Sequence, residues 1–125
     1  MTKREADFQS VFNQYLRKKR MYGNFELKQT TGKSIRFDAV EPHQGVGLLA
    51  ASAEGFVWKY SDQDQRQKPF DCSSIPPLPG YVVLRFPKHF YIIKIERFLL
   101  EKVESDRLSI TEERSRALAD WSVTL

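Results

Sequence analysis

Cysteine is nearly absent: Cys72 is the single one in 125 residues. No internal disulfide and no four-cysteine zinc site can therefore form, and usage this sparse suits a reducing compartment. Long apolar runs are missing as well; none approaches the roughly 20 residues that span a bilayer, so no membrane partner is expected. Met1-Thr2-Lys3-Arg4-Glu5 has no apolar core of the secretory kind, and a soluble intracellular, cytoplasmic domain is the expectation. No internal repeat, linker or low-complexity tract interrupts the chain. What is present is globular: 41% hydrophobic and 13% aromatic residues suffice for one core and rule out a disordered chain. Residues 1–125 form one domain on this reading. A net charge of +4 tilts the partners toward polyanions.

Periodicity supplies the elements. Phe8, Val11, Phe12, Tyr15 and Leu16 make one apolar stripe, which predicts a helix over 3–20. Thr2 with Glu5 matches a capping box, and Arg17-Lys18-Lys19-Arg20 closes the helix where cations suit its dipole. A strand is expected over 24–29 and an extended piece over 34–37. Next comes a helix from Pro42 to Glu54, capped by Asp38 or Glu41 and stopped by Gly55. Phe56 to Tyr60 reads as a strand by its aromatic and β-branched content. A polar segment over 61–68 and a proline-studded loop over 73–80 follow. Tyr81–Phe86 and His89–Ile95 are apolar almost throughout and should be strands buried on both faces. A short helix around Phe98, Leu99 and Val103 and a last one from Ser109 to about Ala119 complete the chain, with Trp121 docking the tail. The order α-β-β-α-β-loop-β-β-α-α indicates a single α/β domain, a central mixed sheet flanked by helices.

Chemistry concentrates in Phe25-Glu26-Leu27-Lys28-Gln29-Thr30. Side chains alternate along a strand, so Glu26 and Lys28 share a face at an expected sheet edge. Taken alone they read as a solvated pair, or as the E-x-K half of a metal-dependent nuclease site. The strand, the polar turn after it, the helix opening with His43-Gln44 and the later apolar strand pair resemble the RecU-type Holliday junction resolvases of the PD-(D/E)xK nuclease superfamily. The resemblance covers roughly residues 5 to 100.

That resemblance implies a restriction-endonuclease-like fold and Mg²⁺, or Mn²⁺ in its place, as cofactor. It implies branched DNA as substrate, phosphodiester hydrolysis as reaction and a homodimer as the working unit. Glu26 and the Leu27 carbonyl would be metal ligands, and Lys28 the positioning cation. Glu5 would match the carboxylate of the first helix, and Gln44 the helix glutamine near the site. The aspartate that precedes E-x-K in the family has no counterpart here. Asp71, in Lys68-Pro69-Phe70-Asp71, is the substitute, provided that its segment pairs beside the Glu26 strand. Arg17, Lys18, Lys19, Arg20, Lys33 and Arg36 would contact phosphates. Other readings stand beside these: Glu5 as a cap, Asp71 as a turn residue, Asp38 as a cap or ligand, His43 as a cap, Gln44 as a core or capping amide, and Cys72 as a small buried hydrophobe. The rival functions are a catalytically inactive nucleic-acid-binding protein of the same fold and a protein-interaction module.

Overall fold

The computed structural model describes residues 3–60 and 69–125, with the side chains of 3–6 left out. Its main sheet has four strands in the order β1-β5-β6-β8: β1 (Asn24–Gln29), β5 (Gly80–Arg85), β6 (His89–Lys94) and β8 (Trp121–Thr124). β1 and β5 are parallel, whereas β5–β6 and β6–β8 are antiparallel, so the sheet is mixed as expected. Central position explains the composition of β5 and β6. Tyr81 to Leu84 and Phe90 to Ile93 are buried on both faces, and only such strands can be apolar without interruption.

Helix α1 (Lys3–Lys19) covers one face. Its stripe brings Phe8 and Phe12 onto Phe25, Tyr81, Val83, Phe90 and Ile92, with Phe12 edge-on to Phe25 at 5.1 Å and to Phe90 at 5.7 Å. The other face carries α2 (Pro42–Glu54), α3 (Ile95–Glu104) and α4 (Glu112–Leu118), packed over Val82, Leu84, Tyr91 and Ile93. The domain is thus a three-layer α/β/α sandwich around two apolar cores.

Three strands were not expected, and each forms through a distant partner. β7 (Ser109–Thr111) pairs with β2 (Ser34–Arg36), so the last helix begins at Glu112 with Thr111 as its N-cap, not at Ser109. The tail past Trp121 is β8, held along β6. β4 (Cys72–Ile75) lies where a loop was expected and pairs with β3 (Phe56–Lys59) in a ribbon separate from the main sheet. At the base of that ribbon Gly55 ends α2 with φ of 72°, and a Cβ there would meet the Ile75 carbonyl oxygen at 2.3 Å. Both the dihedral and the contact demand glycine. Cys72 is exposed on the ribbon, contrary to the buried position expected of it. The polar segment 61–68 lies outside the described residues. Among the described residues, no helix is long and apolar enough to cross a membrane.

α4 is fastened to the sheet by a polar knot. The buried Tyr91 hydroxyl donates to Glu112 Oε2 at 2.6 Å and accepts from Arg116 Nη2 at 3.0 Å. His89 Nδ1 lies 3.5 Å from the same carboxylate oxygen. Burial first, then the bond to Glu112, pushes the Tyr91 phenol above its ordinary range, and burial does the same for Tyr15 and Tyr81. Below about pH 10 these phenols are neutral whether the chain is folded or not. Above it the unfolded chain releases protons that the folded one retains, so stability falls as pH rises. Urea unfolding should therefore give a flat midpoint from neutrality to about pH 9.5 and a decline beyond about pH 10. Tyr91→Phe should make that decline shallower. An unchanged decline in the variant would rule Tyr91 out as a source.

Candidate functional site at the open edge of the sheet

β1 is an edge strand, and the ladder determines which way its backbone points. Asn24 N–H reaches the Pro79 carbonyl and Thr30 N–H reaches that of Arg85. With a period of two, Glu26 and Lys28 also turn their backbone groups toward β5. The carbonyl of Leu27 then faces outward, past the edge of the sheet. The side chains sort by the same parity. Phe25 and Leu27 enter the core beneath α1, and Glu26 and Lys28 emerge on the opposite face, toward α2.

On that face the three groups singled out in the sequence meet. Lys28 Nζ is 3.3 Å from Glu26 Oε1, and Gln44 Nε2 donates to the same oxygen at 2.9 Å. The other end of the Gln44 amide is engaged too, because its Oε1 accepts the backbone N–H of Glu41 at 3.0 Å. Glu41 is the N-cap of α2 and Gln44 its third residue, so the amide belongs to a capping box. Of the roles considered for Gln44, the capping amide is the one seen, and the same side chain also reaches Glu26. Side-chain exposure is 27% for Glu26 and 25% for Lys28, which sets the pair apart from freely solvated charges.

A cleft of about 340 Å³ opens here, lined by Glu26, Leu27, Lys28 and Gln29 on one side, Phe8 and Gln9 of α1 on another, and Ala39. The backbone of Glu5 lies in α1, one turn before these lining residues; its side chain is outside the described residues. A second concavity of about 360 Å³ lies between α3, β7 and α4 and contains none of the predicted site residues.

Asp71 does not arrive by the expected route. Its segment pairs with β3, and β1 has β5 as its strand partner among the described residues. The reason is local: Tyr60 N–H takes the Asp71 carbonyl at 2.9 Å, which continues the β3–β4 ladder and keeps Asp71 on the ribbon. Among the described residues, no group of three or more His, Cys, Asp or Glu side chains is gathered so as to hold a metal ion. Asp38 neither caps α2 nor turns toward β1. It forms a two-pronged bond with Arg36, at 2.9 Å on each prong, and this bond holds its carboxyl below the usual carboxylate range. Arg36 is thereby committed within the chain. His43 is exposed, 3.2 Å from Glu41.

The cationic run closes α1 but stands away from the cleft. From Phe8 to Lys19 is 11 residues, about 16 Å along the helix, and Lys19 lines a groove with Trp121 to Thr124 near the opposite edge. Met21 N–H bonds the Leu16 carbonyl, and Arg20 has φ of 54°. This is a Schellman end with arginine where glycine is usual. A non-glycine residue in this left-handed region costs about 1 kcal/mol. Arg20→Gly should therefore raise stability by up to about 1 kcal/mol, seen as a higher urea midpoint at unchanged slope. A lower midpoint would show that the guanidinium itself supports the fold. No family model, curated protein or solved structure matches the chain.

Proposed function

We propose that the protein is a Mg²⁺-dependent, structure-selective DNA endonuclease with a restriction-endonuclease-like fold, resembling a Holliday junction resolvase. The observation that carries this reading is the Lys28–Glu26–Gln44 cluster. A carboxylate and an ammonium sit two residues apart on an edge strand, and a helix amide pinned from behind orients the carboxylate. A surface ion pair has no need of that third group.

The donors suit Mg²⁺, which typically binds through one or two carboxylates and completes its shell with waters and substrate phosphates. Glu26 and the outward carbonyl of Leu27 would hold it, and Mn²⁺ could use the same oxygens. When bound, the ion supplies charge neutralisation at the scissile phosphate and a more acidic water. The residues of the chain do the rest. Gln44 keeps Glu26 from rotating away. Lys28 orients the attacking water and stabilises the negative charge that develops on the phosphate. Phe8 and Gln9 form the opposite wall. Lys33 and the run Arg17 to Arg20 bind phosphates flanking the cut, the latter about 16 Å along α1. Duplex DNA carries one charge per about 1.7 Å of axis, so that separation is well within one substrate. Cutting two strands symmetrically calls for a two-fold homodimer.

A second reading has its own support. Asp71 lies on the ribbon, and Glu26 is already compensated by Lys28, an arrangement that also suits a nucleic-acid-binding protein that does not cut.

Nicking of branched and supercoiled DNA separates the two. With Mg²⁺ the wild type should cut, and chelation should abolish cutting. Glu26→Ala and Lys28→Ala should each lower the rate roughly 10²- to 10³-fold, the scale for losing one preorganised electrostatic group, with binding retained. Asp71→Ala reports whether the ribbon supplies a second carboxylate. Salt-sensitive binding without cutting would support the non-cutting reading, and rates unchanged in Glu26→Ala would end the endonuclease one.

A further inference from the structure

The β3–β4 ribbon carries a feature that the edge site leaves unused. Phe56 pairs with Ile75 and Trp58 with Ser73, so these four side chains share one face, while Val57, Ser74, Lys59 and Cys72 share the other. Tyr60 continues the first face, and Phe70 stands edge-on to it at 5.2 Å. Phe56 and Trp58 are edge-on to each other at 6.4 Å. The outcome is a row of four aromatic rings in which Trp58 is 57%, Phe70 52% and Phe56 38% exposed. Folding does not account for so much uncovered ring surface. An isolated two-stranded ribbon is marginal in water, and an indole left more than half exposed contributes little of its burial energy.

The neighbours of the rings indicate what covers them. Ser73 stands opposite Trp58, its hydroxyl 2.8 Å from that of Tyr60, and the exposed Lys59 adds a charge on the reverse face of the same ribbon. The centre of a protein–protein patch is depleted in charge and mainly apolar. Rings interleaved with hydroxyls, on a ribbon whose opposite face carries Lys59 and in a chain of net charge +4, are the composition of a surface on which nucleobases stack. We propose that this face of the ribbon is a stacking platform for the unpaired bases of single-stranded DNA. It rests on the endonuclease reading for the identity of the polymer, and it adds that the favoured substrates expose unpaired bases near the cut. Stacking is tolerant of sequence, because every base has a π-face, so the platform would select structure rather than sequence.

Tryptophan fluorescence tests this directly, because the chain has two tryptophans, Trp58 and Trp121. In a Trp121→Phe background, oligothymidylate should quench Trp58, and an abasic oligomer of equal length and charge should not. Trp58→Ala should weaken oligothymidylate binding by roughly 5- to 150-fold, the range for loss of one base–aromatic stack, while duplex binding stays within about twofold. Trp58→Phe should restore most of the single-strand affinity, which a merely structural role of the indole would not explain. Equal quenching by the abasic oligomer, or unchanged oligothymidylate affinity in Trp58→Ala, overturns the platform and leaves the endonuclease reading standing. Emission that shifts with protein concentration alone, with dimers in sedimentation lost in Trp58→Ala, assigns the face to a second copy and also overturns it. Failure of every DNA to bind removes the DNA reading as well.

Discussion

The amide of Gln44 is the joint on which the arrangement at the sheet edge depends. One end accepts the N–H of Glu41 and so caps the start of the helix; the other donates to Glu26 and so holds the strand. An amide with both ends engaged has one orientation, which is what a positioned carboxylate requires. The joint works only if α2 lies close over the sheet, and small residues permit that. Gly45 is buried against Leu99 of α3, and Gly80 starts β5 under Leu48, where an added Cβ would come within 3.0 Å of the Leu48 carbonyl oxygen. A helix with two glycines looks poor by propensity, yet here its lack of bulk is the condition for contact.

Edges shape the remainder. A parallel strand at the border of a sheet leaves half its backbone groups pointing outward, a hazard that proteins limit with charge and with covering elements. β1 does both. Glu26 and Lys28 supply charge, while α1 and the α2 region flank the opening, so that a cleft remains instead of a bare edge. The same logic leaves the ribbon apart. Four residues of β3 against four of β4 cannot extend a sheet whose border at β1 is already flanked, so the ribbon stands alone with its aromatic side uncovered.

The legible parts of the fold were those whose signals are local. Pro42 and Gly55 bracket α2 as the sequence predicts, because a proline in the first turn and a glycine just past the end act on their own backbone. The stripe from Phe8 to Leu16 and the unbroken apolar runs of β5 and β6 likewise describe their own surroundings. Strands β4, β7 and β8 were not legible, because each is only three or four residues long and becomes a strand only through a partner elsewhere in the chain. The expected pairing of the Asp71 segment beside β1 failed for the same reason. Its placement depended on pairing with β1, and no residue near it specifies a partner. The Arg36–Asp38 bond, by contrast, spans two residues and could have been anticipated from their spacing. It joins one cation of the phosphate-binding set to one acid of the candidate ligands.

The electrostatics of the pair itself carry the last step. Several carboxylates gathered without a metal repel one another and raise their own protonation cost. A single carboxylate held by one ammonium and one amide is neutral overall, and it can be assembled by folding alone. On the endonuclease reading this makes Lys28 the occupant of the space near Glu26 until substrate arrives. A divalent ion entering alone would have to separate a pair only 3.3 Å apart with one carboxylate to hold it in exchange. With a phosphate in place Lys28 would have a second anion to face, and Glu26 would be free to hold an ion whose remaining ligands the phosphate oxygens would supply. Metal and nucleic acid would then bind as one event.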